Sequence, residues 1–128
     1  MIDDRLVLRF RGLRSSEARE LADDVGAEAT IVSEESLPVG GYGDVGMRTV
    51  EVVVTARALR LVARYLASRQ RSHRETVNLV VQIDNPDRSR CEARLAYAAA
   101  PGQSTVEAAT IALRALPGVE EALARSLW

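Results

Sequence analysis

The sequence contains no lysine; all 17 of its basic residues are arginine. A Schiff-base lysine, a P-loop lysine and a lysine acid/base are therefore excluded. Histidine and cysteine occur once each, as His73 and Cys91, so the four ligands of a Cys/His zinc cluster cannot be assembled. Aromatic residues are nearly as scarce, being Phe10, Trp128 and three tyrosines, and the core must be aliphatic. A lone Cys91 cannot close an intramolecular disulfide, which fits a reducing compartment. No apolar run approaches the roughly 18 residues of a membrane helix. The N-terminal Met-Ile-Asp-Asp-Arg lacks the basic and apolar regions of a signal peptide. A cytoplasmic protein is expected.

What is present suits one globular domain, spanning residues 1–128. Hydrophobic residues make up 47% of the chain and charged residues 27%, the balance of a folded domain. A chain of 128 residues can bury roughly 65–70% of its unfolded surface. The formal net charge of −1 conceals segregation. Residues 15–35 carry seven acids against Arg19, and residues 56–74 carry six arginines and no acid. Opposed blocks of this size are either solvated helix faces or a polar contact, within the molecule or between two copies.

Hydrophobic periodicity sets out the elements. Asp4 to Phe10 alternates, with Leu6, Leu8 and Phe10 on one face, and predicts a half-buried strand. Ser15 or Ser16 can cap an acidic helix with the stripe Ala18, Leu21, Ala22, Val25, and Gly26 can stop it. Ala29 to Ser33 is a short strand candidate. Residues 34–48, with Pro38 and four glycines, read as a long surface loop. Thr49 to Thr55 alternates on Val50, Val52 and Val54, and Val53 on the second face suggests a central strand. Arg57 to Arg71 has the strongest helical pattern: Leu59, Val62, Ala63 and Leu66 on one side, Arg57, Arg60, Arg64 and Arg71 on the other. Thr76 to Asp84 and Arg90 to Ala98 predict a hairpin around Asn85-Pro86-Asp87, with Cys91, Ala93, Leu95 and Tyr97 inward. Ser104-Thr-Val-Glu107 is a capping box for a helix to about Leu116. Val119 to Leu127 forms a last short helix, whose stripe of Val119, Leu123 and Leu127 ends at Trp128. The order β-α-β-loop-β-α-β-β-α-α predicts an α+β or α/β layer structure, a mixed sheet of about five strands covered by helices.

Few residues offer chemistry. Gly41-Tyr-Gly43-Asp-Val-Gly46 matches G-x-G-x-x-G, but the dinucleotide fingerprint requires a helix directly after it, and here a strand follows. A kinase-type glycine loop needs a lysine on the next strand. His73 stands just after the arginine helix without an evident orienting carboxylate, and a helix-end histidine is the plainer reading. Cys91 on an apolar strand face behaves as a small hydrophobe. There is no Gly-x-Ser-x-Gly elbow. The arginines suit bidentate contact with carboxylates or phosphates. A sequence pI near 5.9 and scarce aromatics weigh against nucleic acid and leave an acidic protein surface.

One pattern is familiar. Residues 38–47 (Pro-Val-Gly-Gly-Tyr-Gly-Asp-Val-Gly-Met) precede the valine strand 50–54, the arginine helix 59–66 and the strand 77–83, with the N-terminal strand and acidic helix in the expected order. About two-thirds of the chain thus resembles the effector-associated constant components, a family of small α/β domains of bacterial conflict systems. The resemblance implies a non-catalytic adaptor that couples an effector, such as a protease, to a sensed signal; it transfers no functional residue. The expectation is a protein-interaction module with no enzyme activity, cofactor or metal. Its partner surface is the face Arg57, Arg60, Arg64 and Arg71 with Tyr42 and Gly43 of the loop. The alternative is a small-ligand or nucleotide sensor using glycine loop 40–46; an enzyme built on His73 is a third class. A homo-oligomer is compatible with the sequence.

Overall fold

The computed structural model describes residues 5–33, 47–70 and 75–126. Nine elements follow in order: β1 (Val7–Leu13), α1 (Ser15–Val25), β2 (Ala29–Ser33), β3 (Arg48–Val53), α2 (Ala56–Ser68), β4 (Val77–Asp84), β5 (Arg90–Tyr97), α3 (Thr105–Arg114) and α4 (Val119–Ser126). The strands form one sheet in the order β2-β3-β1-β4-β5. The protein is α+β, but the sheet is not mixed: every ladder between described strands is antiparallel. The reason is interleaving. β1 and β2 run the same way, as a right-handed crossover through a helix favours, yet β3 lies between them. β3 and β4 likewise run the same way with β1 between them. Two split β-α-β units thus interlock in the ferredoxin-like arrangement, and β5, α3 and α4 extend it at one edge.

Strand alternation assigns one face to the core. Leu6, Leu8 and Phe10, Val50, Val52 and Val54, then Val81, Ile83 and Leu95 are all buried, in one cluster with Leu21, Val25, Val62, Leu113 and Val119 of the helices. The opposite face carries Arg9, Glu51, Gln82 and Asp84, all half-buried. β1 is central and, as expected, buried on one face, and β3 is flanked on both sides, as Val53 suggested.

Local chemistry sets the element ends. Neither Ser15 nor Ser16 caps α1. Arg14 is the N-cap, and its backbone N–H donates to the Glu17 carboxylate at 3.0 Å, so the acid three residues into the helix holds the end. Gly26, at φ 84°, closes the helix by donating to the Ala22 carbonyl. In α2 the Thr55 hydroxyl accepts from Ala58 N–H at 3.0 Å, and in α3 the Ser104 hydroxyl accepts from Glu107 N–H at 3.0 Å. α2 ends at Ser68, short of the expected Arg71, with Ser68 Oγ donating back to the Tyr65 carbonyl at 2.7 Å. β1 runs past Phe10 to Leu13: the register with β3 shifts between Phe10 and Leu13, where Gly12 sits at φ 73° in a bulge.

The β4–β5 hairpin closes through residues 85–89. Arg88 N–H donates to the Asn85 carbonyl and Asn85 N–H to the Ser89 carbonyl, each at 2.8 Å. Arg88 takes the left-handed position of a type I turn with a bulge, at φ 73°.

Candidate interaction surface

The acidic and basic blocks meet inside the molecule. α1 and α2 are the two crossover helices and lie antiparallel on the sheet, so the start of one faces the end of the other. At one end Arg57 Nη1 donates to the Val25 carbonyl at 3.2 Å and to Glu28 Oε1 at 2.6 Å. A cation on the last carbonyl of α1 also suits the negative end of its dipole. At the other end Arg69 spans two carboxylates, Glu20 at 2.8 Å and Glu17 at 3.0 Å. Its guanidinium lies 5.6 Å from the ring centroid of Tyr65. The Tyr65 hydroxyl donates to the Glu17 carbonyl at 3.3 Å. Burial pushes the Tyr65 phenol up; Arg69 opposes this, and Glu17, Glu20 and Asp24 reinforce it.

Arg60 and Arg64, between those clamps, are different. Both are exposed, and neither forms an ion pair or hydrogen bond with another described residue. Arg64 lines a groove of about 500 Å³ with Asp24 of α1, Leu61 and Ser68 of α2, and Thr105 and Val106 of α3. Asp24 shares this groove without pairing to Arg64. Of the expected partner-binding residues, Arg57 is thus engaged with α1, while Arg60 and Arg64 point to solvent. Arg71, Tyr42 and Gly43 lie outside the described residues, as do glycine loop 40–46, His73, Arg74 and Trp128.

A second concavity was not foreseen. The β1–β4 ladder runs from Val7↔Asp84 to Arg9↔Gln82 and stops. Past that point β1 bulges at Gly12 and a cleft of about 470 Å³ opens between the strands. Phe10, Leu13, Leu21, Tyr65 and Leu79 give it an apolar wall, and Gln82 and Glu92 stand at it from the open face. The available signal was Gly12 itself, since a glycine within an extended run marks a bulge; ending the strand at Phe10 hid it.

On the open face Arg9 is the centre of a charged row. Its Nε lies 3.3 Å from Glu51 on β3 and its Nη1 3.8 Å from Asp84 on β4, and Arg90 Nε reaches Asp84 at 2.9 Å. Cys91 is exposed rather than inward. Its register partner Ile83 is fully buried, but Cys91 is the second residue of β5, the outermost described strand. Tyr97, at the far end of β5, is half-buried, and its hydroxyl has no hydrogen-bond partner among the described residues. Burial alone pushes it up to about 12. Among the described residues no group of three or more His, Cys, Asp or Glu could hold a metal ion, and no helix is long and apolar enough to cross a membrane. No protein-family model, curated protein or solved structure matches the chain.

Proposed function

We propose that this chain is a non-catalytic interaction module that docks an acidic segment of a protein partner on the exposed face of α2, through Arg60 and Arg64. The supporting observation is selective engagement. The acidic helix takes up Arg57 and Arg69 and leaves the two central arginines of the same helix in solvent, one of them at a groove. Guanidinium groups held on a rigid helix suit bidentate capture of carboxylates. The resemblance to effector-associated constant components makes an effector of a bacterial conflict system, such as a protease, the proposed partner, met in the cytoplasm. The test is an affinity pull-down from host lysate with wild-type protein and with Arg60→Glu/Arg64→Glu, read by quantitative mass spectrometry. The reversal should remove the captured effector while the thermal midpoint stays put. Equal capture at low salt overturns the reading.

The cleft beside Gly12 favours a second reading, a small-ligand sensor. Its lining would take a compact apolar molecule with one polar end directed at Gln82 and Glu92. A ligand raising the thermal midpoint of the wild type, but not of Leu79→Trp, would support it.

A further inference from the structure

The outer edge of β5, which no other described strand covers, is patterned to pair with itself. Asn85 N–H donates to the Ser89 carbonyl, which makes residues 85 and 89 a hydrogen-bonded pair. Alternation along the ladder then turns the backbone groups of Cys91, Ala93, Leu95 and Tyr97 toward β4. Those of Arg90, Glu92, Arg94 and Ala96 point outward, and all four residues are exposed. β5 is the outermost described strand and runs its full length beside β4 without a register shift. It contains no proline or lysine, two of the devices that commonly block an open edge.

We propose that β5 pairs antiparallel with β5 of a second copy about a two-fold axis at Ala93, joining the two five-stranded sheets. Such an axis must bring outward-pointing residues opposite one another, and charge then selects the register. Centred at Ala93, Glu92 faces Arg94 of the second copy, Arg94 faces its Glu92, and Arg90 faces Ala96, so nearly the whole strand is paired. Centred at Glu92, that residue meets its own copy and Arg90 meets Arg94. Centred at Arg94, two arginines collide. Centred at Cys91, Arg90 meets Glu92, but Arg88 of the turn meets Arg94 and the paired stretch shortens. Opposite charges across a ladder stabilise it and like charges directly opposed destabilise it.

Analytical ultracentrifugation from about 1 µM to about 1 mM protein tests this directly. The wild type should dimerise, and Arg94→Glu should weaken the dimer about tenfold or more. The swapped variant Glu92→Arg/Arg94→Glu should restore it, because the same register again opposes unlike charges. In a Cys91→Ser background, Ala93→Cys should form a disulfide-linked dimer on mild oxidation, since residues at a non-hydrogen-bonded pair bring their Cα atoms within about 4.5 Å. Wild-type Cys91 should not, because it faces Leu95 of the second copy. A chain that stays monomeric throughout overturns the proposal. So does a dimer that ignores Arg94→Glu, or one that cross-links through Cys91 and not through Ala93→Cys.

Discussion

At the scale of single residues, the hairpin turn and the end of β5 hold the clearest tensions. Arg88 occupies a left-handed position that glycine takes without steric cost. Arg88→Gly should therefore raise stability by about 1 kcal/mol, measurable by urea denaturation; a lower midpoint would mean the side chain itself holds the turn. Beside it the Ser89 hydroxyl and backbone N–H donate to Asp87 and hold its carboxyl below the ordinary carboxylate range. That contribution is complete above the unfolded pKa and is lost as the pH falls through the depressed folded value. Tyr97 works in the other direction. Its phenol is pushed up to about 12 from 10.0, so its contribution is intact below pH 10.0 and is lost as the pH climbs to about 12. Tyr97→Phe removes a buried hydroxyl without a partner among the described residues. It should match or exceed wild-type stability at neutral pH, by up to about 1 kcal/mol, and flatten the alkaline loss. Denaturation curves at neutral and alkaline pH separate the two proteins.

At the scale of elements, burial and ion pairing divide the work. Leu8 sits fully buried on the central strand, and Leu8→Ala should cost about 3 kcal/mol. The Arg69 clamp ties α1 to α2 at a site that is 41% exposed, so Arg69→Ala should cost only about 0.5–1 kcal/mol, and less at high salt. A double-mutant cycle with Glu20→Ala isolates the Arg69–Glu20 pair; zero coupling at low salt would show that this pair adds nothing to the contact between the helices. These elements were largely legible in the sequence because alternation on Leu6, Leu8, Phe10 and Val50, Val52, Val54, and the i, i+3, i+4 stripe of α2, report burial directly. What escaped depended on partners far along the chain. Gly12 was the local sign of the bulge, but the register shift it marks is set against β3. The exposure of Cys91 follows from β5 being outermost, and the antiparallel order from β3 inserting between β1 and β2. The cap of α1 escaped for a local reason: Glu17 reaches back to Arg14 and makes a serine cap unnecessary.

At the scale of the whole molecule, a net charge of −1 is distributed by folding into neutralised and unneutralised parts. The fold places α1 against α2, so acidic residues pair with Arg57 and Arg69 at the two ends of α2 and leave Arg60 and Arg64 between them. The candidate surface was therefore half legible: the sequence marked the basic helix, and only the packing of α1 showed which of its arginines are already taken. Basic groups on a rim govern encounter with an acidic partner, and their effect weakens with salt. The most direct measurement is the affinity of the captured partner for wild-type protein and for Arg60→Glu/Arg64→Glu, by isothermal titration at low and high salt. A loss of about tenfold or more at low salt, shrinking at high salt with the thermal midpoint unchanged, is the expected result. Equal affinity of the two proteins at low salt would contradict the assignment of this face as the docking surface.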